Sequence, residues 1–369
     1  MLATVYLIGA GPGAPDLITL RGYRCLQKAD VVIFDHLVSP DLLSIAPKHA
    51  ERIDVGSAAP EPRDQDAICY LLAEKAREGK TVARLKWGDP FLFDQGGEEA
   101  LFLHEQGVRY EVVPGVPHAI GATAYAGIPI TYPGGGDTVT FVRGHEDEGR
   151  EKARIDWTAL ATLDGTIVSY AGPQQLPKML TQLIEHGRSP DEPAAIVLQG
   201  TLSSQRTITG TLSSLLDQIK EHPVGAGLLI VGKVVNFRDH LRWFDSRPLF
   251  GRLALVMHSK EQPDDLADLL RSQGAEVILD GDVHVDVYRL LLDRKIDLVT
   301  FTSASAVLNF AANFGVDQSA DLLAHTVVAV QGDAAADAAS RANIAPAVQQ
   351  PAGSLTAFAE AVVNKFKGN

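Results

Sequence analysis

The sequence predicts an α/β protein: two consecutive α/β domains followed by a smaller α/β module. Three observations carry that expectation. Short β-branched or apolar runs alternate with amphipathic stretches along the chain. Gly and Pro collect in the connections and leave the periodic stretches nearly free of them. The length of 369 residues exceeds the roughly 100–200 typical of one domain.

The elements follow in order. Strand-like Val5–Ile8 leads into an amphipathic stretch, Leu17–Lys28, then Val31–Phe34, Pro40–Ala46, Thr81–Leu85, Glu98–Gln106 and Tyr110–Val113. The punctuating loops are Gly9–Pro15, Gly88–Pro90, Pro114–Pro117 and Pro133–Gly136, where ligand contacts are expected. Tyr132–Gly136 reads as a hinge. A second alternating set follows with Thr138–Arg143, Gly165–Tyr170, Gln175–His186, Ala194–Gln199 and Leu228–Val235. Arg238–Phe250 is charged and aromatic, and a fresh βα unit opens at Leu253–Met257 and Asp264–Gln273. The expected domains are therefore 1–132, 133–248 and 249–369.

Composition narrows the function. Hydrophobic residues at 46% and charged residues at 21% describe an ordinary globular chain. A net charge of −13 argues against nucleic-acid binding, which needs clustered Lys and Arg. No apolar run approaches the ~20 residues that span a bilayer and no signal-peptide layout precedes Val5, so no membrane association and a cytoplasmic location are expected. Cys25 and Cys69 are the only cysteines and form no CxxC pair, so neither a disulfide framework nor a metal site is expected; both read as helix-packing residues.

Gly9-Ala10-Gly11-Pro12-Gly13 after a strand permits a tight turn and close backbone approach, and alone is equally a ligand-free βα turn. A dinucleotide-binding reading fits poorly, because Pro12 interrupts the spacing. The loop gains meaning from its company. With Gly9–Leu20 (GAGPGAPDLITL), Val31–Ser39 (VVIFDHLVS), Ala83–Glu99 (ARLKWGDPFLFDQGGEE), Tyr110–Gly115 (YEVVPG), Ala124–Thr131 (AYAGIPIT) and Thr140–His145 (TFVRGH) in this order, the chain resembles the uroporphyrinogen-III C-methyltransferases of the tetrapyrrole methylase family. Gly200-Thr201 and Ile230–Val235 extend the match to about residue 245.

The resemblance implies a two-domain methylase fold, usually homodimeric, with S-adenosyl-L-methionine bound between the domains. It implies methyl transfer to pyrrole carbons of a tetrapyrrole, uroporphyrinogen III, done twice to give precorrin-2. Pro12, Trp87, Gly88, Asp89, Leu92, Pro117, His118, Ala171 and Gly200 match the cofactor-contacting positions. Asp35 matches the presumed proton acceptor. Asp89 either binds a ribose hydroxyl or amino group or caps its own loop. A methyltransferase for another tetrapyrrole and a non-catalytic tetrapyrrole-binding module are the alternatives.

The chain departs from the family where cations would meet the substrate's carboxylates. Ser57 replaces a lysine, His36 an arginine, Asp94-Gln95 a Gly-Arg pair and Tyr132-Pro133-Gly134 a His-Arg-Asp. His36, Arg143 and His145 are the substrate-binding candidates left. On the cofactor side Trp87 replaces a glycine, to crowd the adenosine or stack on it, and Pro117-His118 replaces Thr-Ser or Thr-Ala. Lys86 reads as a loop residue of the motif or a solvated, snorkelling side chain.

Leu253–Met257, Ala275–Leu279, Asp297–Ala306, Thr326–Asp333 and Gly353–Val363 resemble uroporphyrinogen-III synthase. The matched pieces are the two ends of that enzyme, which build one of its two lobes; the middle is missing between Asp280 and Asp286. Synthase activity is therefore not expected, and a docking, dimerisation or vestigial role is. Thr302-Ser303-Ala304-Ser305 either binds a carboxylate or caps the helix that follows.

Overall fold

The computed structural model describes residues 3–35, 37–56, 59–60, 62–135, 138–144, 155–257, 265–280 and 285–368. They fall into two units, Met1–Arg242 and Trp243–Asn369. No described helix is long and apolar enough to cross a membrane.

The first unit begins with a parallel sheet of β1 (Val5–Gly9), β2 (Val31–Phe34), β3 (Glu51–Asp54), β4 (Val82–Lys86) and β5 (Tyr110–Val113), in the order β3-β2-β4-β1-β5. Both faces are covered, as parallel sheets require. Val5, Leu7, Ile33 and Val82 meet the helix Gln65–Arg77 through Ile68, Leu71 and Leu72. Ile8, Val32, Ala83 and Leu85 meet Leu26 and Leu42 on the other side. The stretch read as Leu17–Lys28 is split. Pro15–Leu17 is a 3-10 turn, and Thr19, whose hydroxyl accepts from Gly22 N, starts a helix at Leu20–Leu26.

The second sheet is mixed. It holds β6 (Val139–Arg143), β7 (Thr166–Ala171), β8 (Pro193–Leu198), β9 (Arg206–Thr211) and β10 (Gly227–Val231), in the order β6-β7-β10-β8-β9. Only β6 and β7 pair in parallel; the other pairs are antiparallel. Leu176, Met179 and Leu180 of the helix Gln175–Glu185 cover one face. The helix His118–Tyr125, which follows β5 of the first sheet, covers the other, with Ala119 and Ala122 against Val168, Val197 and Ile230. The run Leu228–Val235, expected as one strand, stops at Val231. Gly232 takes a φ of 143°, and Val234 and Val235 stay buried in a 3-10 turn, Lys233–Phe237.

The second unit is one parallel sheet of β11 (Leu253–Met257), β12 (Glu276–Leu279), β13 (Leu298–Phe301), β14 (Val327–Gln331) and β15 (Val348–Gln350), in the order β12-β11-β13-β14-β15. Helices cover both faces: Ala304–Phe314 and Asp333–Arg341 on one, Asp265–Ser272 and Leu355–Lys367 on the other. Only a short connection separates Leu279 from the helix Val287–Leu292. Ser303 caps Ala304–Phe314 by accepting from Ala306 N at 3.2 Å, the simpler of the two roles expected for that turn.

In the first sheet the carboxyl ends of all five strands lie along one edge, where ligands of open parallel sheets bind. Three chain segments touch there. A Cβ on Gly9 would come within 2.5 Å of Gly115 Cα and 2.6 Å of the Gly88 carbonyl oxygen, and one on Gly115 would overlap that same oxygen. Gly97, in the helix Gly96–Glu105, has open space around its Cα. Denaturant unfolding should therefore separate the two: Gly115→Ala loses about 1–3 kcal/mol, whereas Gly97→Ala is neutral or gains up to about 1 kcal/mol.

Candidate active site

The glycine loop after β1 is fixed on both sides. Ala10 N donates to Lys86 O (2.7 Å), and Gly88 N to Gly11 O (2.8 Å), so the loop is zipped to the end of β4. It then reaches the second half of the unit. Pro12 is buried with its ring against Gly121, where a Cβ would sit 2.5 Å from Pro12 Cγ, and Ala14 N donates to Thr201 Oγ1 at 3.0 Å. Gly200 packs equally tightly against Ala122. Its neighbours Gln199 (φ 49°) and Thr201 (φ 73°) are left-handed although neither is glycine. Such residues cost on the order of 1 kcal/mol or more each and persist where the surroundings hold them. Here Gln205 holds them, accepting from Thr201 N (2.8 Å) and donating to Tyr125 O (3.2 Å).

The structure thus brings Pro12, Gly88 and Gly200 together around the helix His118–Tyr125, whose N-cap is Pro117. Asp89 is occupied locally: one carboxylate oxygen accepts from Phe91 N (2.9 Å) and the other from Gly115 N (3.0 Å), which ties the β4 and β5 loops together. Leu92 lies in that loop, its N–H on Asp89 O. Ala171 differs. Its side chain packs into the helical layer with Leu176 and Met179, so only its main chain is left to meet a ligand.

Two departures from the family pattern face each other. Trp87 and His118 stack with centroids 4.3 Å apart and planes at 35°. Tyr170 lies edge-on to Trp87 (6.4 Å) and to Phe93 (5.5 Å), and its hydroxyl accepts from Ala119 N. Phe93 holds a left-handed φ of 59°. His118 is 7% exposed, and its Nδ1 lies 3.1 Å from Pro12 O. A carbonyl only accepts, so Nδ1 carries the hydrogen and Nε2 the lone pair. Burial pushes the imidazole down to about 4, against the smaller opposing pull of the Pro12 bond, so it is neutral at physiological pH. Tyr170 and Phe93 were not among the residues nominated from sequence. Their signal was adjacency: Phe93 lies inside a matched segment beside Leu92, and Tyr170 ends a strand-like run beside Ala171.

The second cluster is ionic. Arg84 and Lys86 are consecutive same-face residues of β4, and both are buried, Lys86 to 1% exposure. Lys86 Nζ lies 2.9 Å from Glu99 Oε1 and 3.1 Å from Asp94 Oδ1, and Arg84 Nε lies 3.3 Å from the same Glu99 oxygen. The reading of Lys86 as solvated is corrected: with carboxylates within reach below the surface, pairing holds the ammonium inside. Burial works to raise the Glu99 carboxyl, but Arg84 and Lys86 outweigh it and hold it below the usual range. Sequence reasoning missed Glu99 and Asp94. The available signal was two cations in an otherwise apolar central strand, which demand buried partners.

Asp35 follows β2, with Oδ1 accepting from Leu37 N at 3.1 Å. The β2–β4 register ends at the pair Ile33–Arg84, two residues before Asp35 and Lys86. Arg143 ends β6 opposite Tyr170 in register and on the same sheet face. His36, His145 and Ser57 lie outside the described residues.

Comparison with known proteins places this geometry. Residues 4–216 match the family described as Tetrapyrrole (Corrin/Porphyrin) Methylases. The chain belongs to the tetrapyrrole methylase family. Residues 246–358 match Uroporphyrinogen-III synthase HemD. A siroheme synthase of Pseudomonas putida is 48% identical over 243 residues, 65% of this chain and 52% of that protein. A uroporphyrinogen-III C-methyltransferase of Bacillus subtilis is 40% identical over 276 residues, 74% of this chain and 57% of that one. The chain spans about half the length of these curated relatives. Among solved structures, the uroporphyrin-III C-methyltransferase of Thermus thermophilus complexed with S-adenosyl homocysteine is 36% identical. The match has a TM-score of 0.55 and covers 63% of this chain and 99% of that one.

Two stability measurements test the site's electrostatics. Lys86→Met strips Glu99 and Asp94 of their shared cation and should cost about 3–5 kcal/mol in urea unfolding at pH 7.5. His118 acts through pH. Its folded pKa lies below the unfolded 6.5, so its contribution is complete above pH 6.5 and shrinks as pH falls toward 4, by about 3 kcal/mol in all. His118→Gln should flatten the stability profile in that window and nowhere else.

Proposed function

We propose that the first unit uses S-adenosyl-L-methionine to methylate uroporphyrinogen III twice, giving precorrin-2 for siroheme or cobalamin synthesis. The observation that carries the reading is the carboxyl edge of the first sheet, where small residues bare the main chain beside an acidic strand end. The residues fit this cofactor. It has no phosphate and needs no cation cradle; it needs apolar walls and main-chain hydrogen-bonding groups. Pro12, Leu92, Trp87 and the helix start at Pro117-His118 would supply the walls, and the chain at Gly88, Ala171 and Gly200 the polar groups. Trp87 is held against His118, so it reads as part of the wall rather than as a plug. Asp89, held by Phe91 N and Gly115 N, would act chiefly by shaping the loop. Bound there, the cofactor would supply an electrophilic methyl group on its sulfonium.

Asp35 would remove the proton that each methylation makes acidic, and Arg143, with His36 and His145, would pair with substrate carboxylates. A second reading, another tetrapyrrole with fewer or differently placed carboxylates, is favoured by Arg84 and Lys86 being occupied internally. The protein would work as a cytoplasmic homodimer. The second unit, a single sheet with helices on both faces, would dock or dimerise rather than perform the synthase reaction, which in the resembled family uses two lobes.

The test is anaerobic incubation with S-adenosylmethionine and uroporphyrinogen III, read by absorbance and product mass. Dimethylated product is expected, with Asp35→Asn slower by about 10²–10⁴-fold and S-adenosylhomocysteine bound equally well by both proteins in calorimetry. Cofactor binding without methyl transfer would move the proposal to the second reading. Unchanged turnover in the Asn variant would remove Asp35 as the base.

A further inference from the structure

We propose that His118 Nε2 accepts a hydrogen bond from the adenosine half of bound S-adenosyl-L-methionine. This rests on the reading of the cleft as the cofactor site and adds to it a directional polar contact. The resembled family has Ser or Ala at this position, so the imidazole is a feature of this chain. His118 stands where the segments assigned to the cofactor meet. Its Nδ1 lies 3.1 Å from Pro12 O, a Cβ on Gly200 would come within 3.3 Å of its Cε1, and one on Gly88 within 3.3 Å of its main-chain nitrogen. Trp87, another departure from the family pattern, stacks on the ring at 4.3 Å.

Of the two ring nitrogens, the protein engages one. Nδ1 donates to Pro12 O, which leaves the lone pair on Nε2. Among the described residues Nε2 has no hydrogen-bond partner, and it is not one of the buried atoms closed off from water without one. The residue as a whole is 7% exposed. An acceptor so far out of water costs free energy until a donor completes it. The Pro12 bond sets which edge of the ring carries the lone pair, and the Trp87 stack hinders rotation away from that setting. Nε2 adjoins Cε1, the ring atom that approaches Gly200.

The surroundings select the donor. Burial that holds this imidazole neutral at physiological pH also penalises an ammonium brought beside it, which sets aside the amino group of the methionine half. The adenosine half carries uncharged donors, the ribose hydroxyls and the adenine amino group, on a body that suits aromatic walls. Trp87 and Tyr170, with ring centroids 4.3 and 6.3 Å from the imidazole, supply such walls. Ala at this position has no acceptor, and Ser carries its hydroxyl close to the main chain. The contact therefore separates this chain from the family it resembles.

Two measurements of cofactor binding test this, and neither needs turnover. The first is calorimetry. His118→Asn keeps a donor near the Nδ1 position for Pro12 O and loses the Nε2 acceptor, so it should bind S-adenosylhomocysteine roughly 10-fold more weakly than the wild type. The two proteins are then compared on three analogues, two lacking one or the other ribose hydroxyl and one with the adenine amino group dimethylated. For at least one analogue the gap between the proteins should close, and that analogue identifies the donor. The second is nitrogen NMR of the wild type. The Nε2 resonance, assigned by its loss in His118→Asn, should move to lower frequency when S-adenosylhomocysteine is added, as an imidazole nitrogen does when its lone pair accepts a hydrogen bond. A gap of equal size on all the ligands assigns His118 to packing alone and overturns the proposal, and so does an Nε2 resonance that stays in place while the ligand binds. A wild type that binds no S-adenosylhomocysteine sinks the function proposed above, and this inference with it.

Discussion

The first unit depends on one constraint: three main-chain segments, at Gly9, Gly88 and Gly115, occupy a space in which no side chain fits. The contact sets the height at which the loops after β1, β4 and β5 leave the sheet. It therefore sets where Pro12 crosses to Gly121, where Asp89 can reach Gly115 N, and where the helix beginning at His118 starts. The rest of the cleft is bracing. Gln205 locks a loop whose left-handed residues, Gln199 and Thr201, would relax if released, and Thr201 in turn holds Ala14. Precision at the cleft is thus obtained by spending conformational energy in the loops and recovering it from hydrogen bonds and packing around them.

Below that edge lies a second kind of order. A lysine and an arginine inside a sheet are tolerable only as members of a paired network, and replacing one partner exposes the desolvation of the others. The network couples β4 to the helix Gly96–Glu105 and, through Asp94, to the loop between them.

Much of this was legible in the sequence, for reasons that can be named. Val31–Phe34 and Leu253–Met257 read as strands because their β-branched and aliphatic runs are bounded by polar or Gly-containing connections, and both are strands as read. Leu228–Val235 misled because hydrophobicity says only that residues are buried. The change from strand to 3-10 turn is made by the φ of Gly232, which leaves no mark in the pattern. Pro12, Gly88 and Gly200 were nominated through the family resemblance, and the structure shows the close main-chain packing around them. The pairing of Trp87 with His118 was not legible, since a stack between residues of different loops requires the folded chain. Lys86 was misread because its partners sit on the next helix and loop: Arg84 and Lys86 in one apolar strand signal that buried carboxylates are needed, but not which ones supply them.

The helix His118–Tyr125 belongs by chain order to the first sheet, since it follows β5, but its apolar side is built into the second, against Val168, Val197 and Ile230. The halves of the first unit are accordingly not interchangeable cassettes. A recombinant that took residues up to β5 from one parent and the remainder from another would keep this helix with the sheet it covers. One spliced after the helix would graft a foreign surface onto that sheet and join two cores that had never been fitted to each other. The seam of the molecule and the seam of its sequence run on opposite sides of one short helix.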